Sequence, residues 1–382
     1  MKRLAIITTH PIQYNAPMFR LLNEHGHIYV KVFYTWGQSA SAVFDAKFGI
    51  TRSWDVPLLE GYEYEFLENT SRKPDSNRFF GVVNPGLLKK IRDGKFDAVM
   101  VNRWSLYSHL RVMQCLPGNT KLFFRGDSHL LNESQGISAA LKTILLKWVY
   151  RKVSCAFFVG KYNREYYLKY GLDDKRLKPA LHAVDNSRFI QESILWEQKA
   201  QNERLRLGIP DNAVVFLYAG KFYDLKQTDL LVRTFMEVKG DKYRLLLIGN
   251  GDQEMKLKEV ALQDKRIIFQ PFHNQSDMPW VYRIGDVFVL PSKSETWGLG
   301  VNEAMACSRP AIVSDMCGCG PELIIDNVTG FIFQSGSMES LKSKLMNYNS
   351  RSEASIHGKN AFQHIQSFTL DRFAEAIERE MM

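Results

Sequence analysis

Two lysines five positions apart, Lys221 and Lys226, stand in AGKFYDLKQTD, and two carboxylates eight positions apart, Glu295 and Glu303, flank a Gly-Leu-Gly turn in SETWGLGVNEAMA. Ammonium groups beside a helix start suit an anion of diphosphate size, because unpaired N–H groups and the helix dipole both favour negative charge. The turn Gly298-Leu299-Gly300 offers further N–H groups and starts a helix closed by Pro310. On one unbroken helix, acids eight apart would lie about 12 Å apart and roughly 80° out of phase. The glycine turn breaks that geometry and separates their work. Glu295 can point into a cleft from its loop, Glu303 sits in or near the first helical turn, and the N–H groups between them can hold an anion. Such spacing is common by chance, so its placement on strand, turn and helix carries the signal.

Other loops offer less. In IGNGDQE, Gly249 and Gly251 permit a tight turn or close approach to a ligand, but the third glycine of a dinucleotide fingerprint is missing. In SDMCGCGPELI, Gly318, Gly320 and Glu322 could contact a ligand, and a helix start capped by Pro321 and Glu322 explains them nearly as well. Cys317 and Cys319 lack the second ligand pair of a metal site, so no metal is expected. The first half contributes His10, Gln13 and Asn15 in TTHPIQYNAP, and Asp127 and His129 in FFRGDSHLL. An aspartate can equally cap a helix, and a lone histidine is more often structural.

The elements that must position these residues read as a parallel α/β pattern. LAIIT, IYVKVFY, DAVMVN and KLFFRG are apolar runs of strand length in the first half. VVFLYAG, YRLLLIGNG, RIIFQPF, DVFVLPS, PAIVS and GFIF repeat the pattern in the second, mostly separated by helical segments. Near-continuous apolar runs imply strands covered on both faces. At 382 residues the chain exceeds one ordinary core. The expectation is two tandem Rossmann-like doubly wound domains facing across a cleft, over 1–190 and 191–365, with an amphipathic C-terminal helix over 366–382 that could pack on either domain, back on the first among them. Open sheets of this kind bind ligands beyond the carboxyl ends of their strands.

The formal charge of +9 is uneven: residues 1–190 hold 28 Lys/Arg against 16 Asp/Glu, and the remainder 22 against 25. A basic half suits a polyanion or an anionic membrane surface, with solvated surface charge as the plain alternative. ISAALKTILLKWVYRKV (137–153) carries Ile, Leu, Trp and Val with Lys142, Lys147, Arg151 and Lys152 at helical intervals, fitting either a membrane-surface helix or a core helix with a wet side. The opening MKRLAIITTHP lacks a small-residue cleavage site and reads as a first strand, and no apolar run reaches the length of a membrane span. Five scattered cysteines argue against a disulfide framework and for a reducing, cytoplasmic setting. A basic chain could also bind nucleic acid, but no motif for it is present and the charge sits away from the glycine loops.

Taken together, the two lysines after Gly220, Gly249 and Gly251 after a strand, and LPSKSETWGLGVNEAMACSRPAIVSD resemble the C-terminal domain of retaining glycosyltransferases of the GT-B fold, specifically family 4. HAVDNSRF (182–189) is similar to the segment ending that family's first domain, and the resemblance is specific over about 180–335. It implies a GT-B architecture, with a first domain for the acceptor and a second for the donor. A nucleoside-diphosphate sugar serves as donor substrate, with no other cofactor. Lys221 and Lys226 would neutralise its diphosphate, Glu295 contact the transferred sugar, Glu303 bind the ribose, and Gly298, Leu299 and Gly300 give N–H groups to sugar and phosphate. Gly220, Gly249 and Gly251 belong to the same binding loops, and Asp127 or His129 stands where the family often has a polar cleft residue. The loop after strand one departs from the pattern, reading TTHPIQYNAP where many members carry a glycine pair. No Asp-x-Asp occurs, so a metal-independent transfer is expected. The basic first half points to a lipid-linked glycan acceptor in surface polysaccharide assembly, reached peripherally at an anionic membrane. A sugar phosphorylase or nucleotide-sugar epimerase could use the same fold.

Overall fold

The computed structural model describes residues 1–36, 54–133 and 136–382, and the backbone of 43–45 and 50–52. Strands β1 (Lys2–Thr8) and β2 (Ile28–Tyr34) open the chain, and β3 (Val43–Asp45) and β4 (Ile50–Arg52) form a separate pair. Then follow β5 (Glu63–Phe66), β6 (Ala98–Asn102), β7 (Lys121–Arg125), β8 (Cys155–Phe158) and β9 (Leu177–Pro179). These build a seven-stranded sheet in the order β5-β2-β1-β6-β7-β8-β9. The second sheet comprises β10 (Val214–Ala219), β11 (Tyr243–Ile248), β12 (Ile267–Gln270), β13 (Val287–Leu290), β14 (Ala311–Ser314) and β15 (Gly330–Phe333), ordered β12-β11-β10-β13-β14-β15.

Every pairing in both sheets is parallel. The apolar runs dictate this arrangement: all four residues of β13 and all four of β14 are buried, as strands covered by helices on both faces must be. Each order runs outward from its first strand in one direction and then in the other, the doubly wound pattern. The reversal leaves a crevice at the carboxyl ends of β1 and β6 in one sheet, and of β10 and β13 in the other.

Contacts divide the chain into Met1–Val43, Val56–His182 and Leu370–Met382 on one side, and Phe44–Asp55 with Ala183–Thr369 on the other. The division at 182/183 precedes the 190/191 read from sequence. Helix Asn186–Ile190 belongs to the second unit because Asn186 Nδ2 donates to the Phe368 carbonyl (3.1 Å) and the Arg283 guanidinium to that of Phe189 (2.7 Å). The last helix, Leu370–Met381, buries Phe373, Ala374 and Ile377 in the first unit. There the buried Arg125 guanidinium lies 3.7 Å from the Phe373 ring centroid, and Lys121 Nζ donates to the Glu380 carbonyl at 2.8 Å.

Candidate active site

In the second unit the switch point gathers the charged candidates. After β10 the chain passes Gly220 and Lys221, makes a 3₁₀ turn at Asp224–Lys226, and enters helix Thr228–Met236 through Gln227 at φ 48°. After β13 it runs through Ser292 to Glu295 and starts helix Leu299–Ala306 behind Gly298, whose φ of 106° few residues but glycine adopt. The Lys293 N–H donates to the Leu225 carbonyl at 2.8 Å, tying the two loops together. Across this junction Lys226 Nζ and the Glu295 carboxylate form an ion pair, each side chain 17% exposed. Burial alone would push the Lys226 ammonium down, but Glu295, by charge and hydrogen bond, outweighs it and the net shift is upward. The sequence holds these two groups 69 positions apart, and the topology makes them neighbours.

The loop after β14 completes the frame. The Glu295 N–H donates to the Met316 carbonyl (3.2 Å), the Gly318 N–H to that of Glu295 (3.0 Å), and the Cys319 N–H to that of Trp297 (3.0 Å). A Cβ on Gly318 would meet the Thr296 carbonyl oxygen at 1.9 Å, so glycine is required for the loops to lie this close. Cys317 and Cys319 are buried free thiols behind this loop, and burial pushes the Cys317 thiol up to about 12.

Glu303 is the fifth residue of its helix, near the first turn, the helix starting at Leu299. It is only 2% exposed, accepts from the Tyr282 hydroxyl at 2.7 Å, and has the Arg188 guanidinium at 3.6 Å. Tyr282 and Arg188 were not singled out from sequence. Arg188 sits inside the quoted HAVDNSRF segment, whereas an apolar-flanked tyrosine in MPWVYRI gives no signal. Gly249 and Gly251 serve a neighbouring loop: their Cβ atoms would meet the carbonyl oxygens of Gly220 at 1.9 Å and Phe222 at 2.3 Å. The Phe222 N–H donates to the Asn250 carbonyl there at 2.9 Å. The close approach they permit is thus of backbone to backbone. Lys221 is half-buried, its carbonyl accepting from the Tyr218 hydroxyl at 2.7 Å. Leu299 and Gly300 form the first helical positions behind Gly298.

The first unit has its own cavity of about 390 Å³ at the carboxyl ends of β6 and β7, lined among others by Arg103, Trp104, Asp127, Ser128, Tyr166 and Tyr167. Asp127 is exposed in an irregular loop directly after β7 and does not start a helix. His129 Nδ1 accepts the Leu131 N–H at 3.2 Å, within the same loop. Arg103 adopts φ 71°, and its carbonyl lies 2.8 Å from Nδ1 of the buried His109. Burial, partly offset by these carbonyl contacts, lowers the His109 pKa to about 4. The neutral ring therefore donates to the strained backbone that presents Arg103. His10 stands at the neighbouring β1 end, with Thr9 Oγ1 at 3.0 Å and the Trp36 ring edge-on; burial and then the Arg103 charge lower its pKa. Asn15 makes no side-chain cap on the helix it precedes.

Residues 199–362 match the family Glycosyl transferases group 1. A D-inositol 3-phosphate glycosyltransferase of Saccharomonospora viridis is 31% identical over 189 residues, which are 46% of this chain and 44% of that protein. The matches take in less than half the length of the curated relatives. A glycosyltransferase from Rickettsia africae superposes with a TM-score of 0.72 at 16% identity, covering 100% of this chain and 98% of its own. HepE of Anabaena, in complex with UDP and glucose, gives 0.70 at 15% identity, covering 100% and 99%. At such identities the likeness is one of fold.

Proposed function

We propose that the chain, whose residues 199–362 match the family Glycosyl transferases group 1 and whose fold is that of GT-B glycosyltransferases, transfers a sugar from a nucleoside diphosphate to an acceptor hydroxyl. The observation that carries this reading is the Lys226–Glu295 pair at the β10/β13 switch point, one helical start away from buried Glu303. Lys221 and Lys226 neutralise the donor diphosphate, aided by N–H groups of the Gly298–Gly300 turn. Glu303, held by Tyr282 and faced by Arg188, takes the ribose hydroxyls. Glu295 orients the transferred sugar. UDP and glucose in HepE support a nucleotide-sugar donor here.

Transfer proceeds with retention and without a metal, as family 4 would have it: lysines and helix-start N–H groups stabilise the leaving diphosphate as its charge develops. A donor phosphate oxygen takes the acceptor proton as the new glycosidic bond forms on the same face. The acceptor is assigned to the first unit, whose 390 Å³ cavity offers Arg103, Trp104, Asp127 and Ser128 to a polar glycan.

A lipid-linked acceptor is supported by helix Ile137–Tyr150. Leu146, Val149 and Tyr150 anchor it, while Ile137, Leu141 and Ile144 are 84%, 64% and 68% exposed beside half-exposed Trp148. Exposed Lys147 and Arg151 border this face, as on a helix lying on an anionic bilayer, whereas Lys142 turns to Glu133 at 2.8 Å and Lys152 to the Gln114 carbonyl. No helix among the described residues is long and apolar enough to cross a membrane; the contact proposed is peripheral, at the cytoplasmic leaflet in surface polysaccharide assembly. The test is a panel of nucleotide sugars with and without glycan acceptors, reading nucleoside diphosphate release and product anomer. Acceptor-dependent release with a retained anomer supports the proposal. Turnover that needs inorganic phosphate instead, or epimerised donor without an acceptor, would replace it.

A further inference from the structure

Helix Ala16–His25 ends in His25-Gly26-His27, where Gly26 has φ 66°. That left-handed turn brings both imidazoles to the C-terminal helix Leu370–Met381. His25 Nδ1 lies 3.0 Å from one oxygen of Glu378, and His27 Nδ1 lies 3.1 Å from the other. The three donor atoms lie within 4.8 Å of one another, and this is the one metal-capable group of His, Cys, Asp and Glu among the described residues. Glu378 is 4% exposed, and a buried carboxylate requires a cationic or hydrogen-bonding counterpart.

The two imidazoles face the Glu378 carboxylate directly. The His25 Nε2 also faces a carboxylate, Asp371, at 3.9 Å. The two ring nitrogens of His25 thus each meet a carboxylate, Nδ1 that of Glu378 and Nε2 that of Asp371. With a cation at Nδ1, Nδ1 and Glu378 become ligands and Nε2–H turns to Asp371, the usual carboxylate–histidine–metal arrangement.

We infer that His25, His27 and Glu378 form a binding site for a first-row divalent transition ion, Zn²⁺ foremost, with Asp371 orienting His25. Two imidazoles and one carboxylate suit Zn²⁺, Co²⁺ or Ni²⁺, whereas Ca²⁺ and Mg²⁺ prefer oxygen ligands alone. Tetrahedral bonds of about 2.0–2.1 Å set neighbouring ligand atoms about 3.3 Å apart, close to the N···O separations already present. The His27 side chain, 66% exposed, can rotate to close the third edge and leaves the fourth position to water. The bound ion fastens residues 353 positions apart in sequence, and so stabilises the packed C-terminal helix by mass action. The site lies wholly in the first unit and is independent of the donor reading.

The experiment uses the full chain without affinity tag, stripped of metal, titrated with Zn²⁺ against a chromophoric chelator, with Co²⁺ absorption and thermal unfolding in parallel. The wild type should take up one Zn²⁺ per chain, show tetrahedral Co²⁺ bands and melt at a higher temperature with the ion. His27→Ala removes a largely exposed ring together with its Glu378 contact, so it should fold, melt a little below metal-free wild type, lose the site and gain nothing from Zn²⁺. Asp371→Asn should bind 10- to 100-fold more weakly. No saturable uptake by the wild type, or equal uptake and equal thermal response in His27→Ala, overturns the assignment and leaves a histidine–glutamate contact without a metal.

Discussion

Replacing Lys226 by Ala removes one half of an ion pair whose side chains are each 17% exposed. Exposed pairs contribute about 0–1 kcal/mol, while breaking a fully buried one costs about 3–5 kcal/mol. At this exposure the coupling between Lys226→Ala and Glu295→Gln, measured by a double-mutant cycle in urea, should be about 1–3 kcal/mol. The catalytic loss has a separate origin. If the ammonium stabilises the leaving diphosphate, Lys226→Ala should lower the transfer rate by about 10²–10³-fold, as removal of one preorganised electrostatic donor typically does. Because Glu295 raises its folded pKa, the ammonium's stabilising contribution is fully present below the unfolded value of 10.5 and fades only as pH rises through the higher folded one. Lys226 should therefore add no inflection to transfer or stability between pH 6 and 9. Additive stability effects in the cycle would refute the pairing, and unimpaired transfer by Lys226→Ala would refute its role.

Glu303→Gln keeps a partner for the Tyr282 hydroxyl, so folding should change little while donor affinity falls about 10- to 100-fold, the loss of one charged hydrogen bond, checked by calorimetry. Gly318→Ala drives a Cβ into the Thr296 carbonyl and should cost about 1–3 kcal/mol in denaturant while raising the donor KM. His109 is lowered to about 4, so the folded chain binds fewer protons there than the unfolded chain. Stability should fall as pH drops from 6.5 towards 4, by up to about 3 kcal/mol from this group, and His109→Gln should flatten that part of the curve. Ile144→Glu should abolish co-sedimentation with anionic vesicles without altering transfer to a water-soluble acceptor; unchanged sedimentation would discount the membrane role of that helix.

Much of the fold was legible because buried parallel strands are apolar throughout, and VVFLYAG or DVFVLPS admits few other readings. The strands without such a run were silent. In β5, EYEF pairs only with β2 at the sheet edge and leaves both glutamates outside the core. In β9, three residues end in Pro179, which an edge tolerates. At the site, sequence placed each candidate after a strand, but which loops meet depends on strand order. Hence the Lys226–Glu295 contact, and the backbone contacts that require Gly249, Gly251 and Gly318, emerged only with the topology. The C-terminal helix showed its amphipathic face in sequence, yet Arg125, Lys121 and the two histidines that receive it lie hundreds of residues away.

The central claim is that the loops after β10 and β13, with Glu303, form a nucleotide-sugar donor site. Calorimetric titration of wild type and a Lys226→Ala/Glu303→Gln variant with a panel of nucleoside diphosphates, in the presence of EDTA, tests it most directly. The account predicts saturable one-to-one binding of at least one nucleotide by the wild type and its loss in the variant. Undiminished binding by the variant, or no binding of any nucleotide by the wild type, would contradict it.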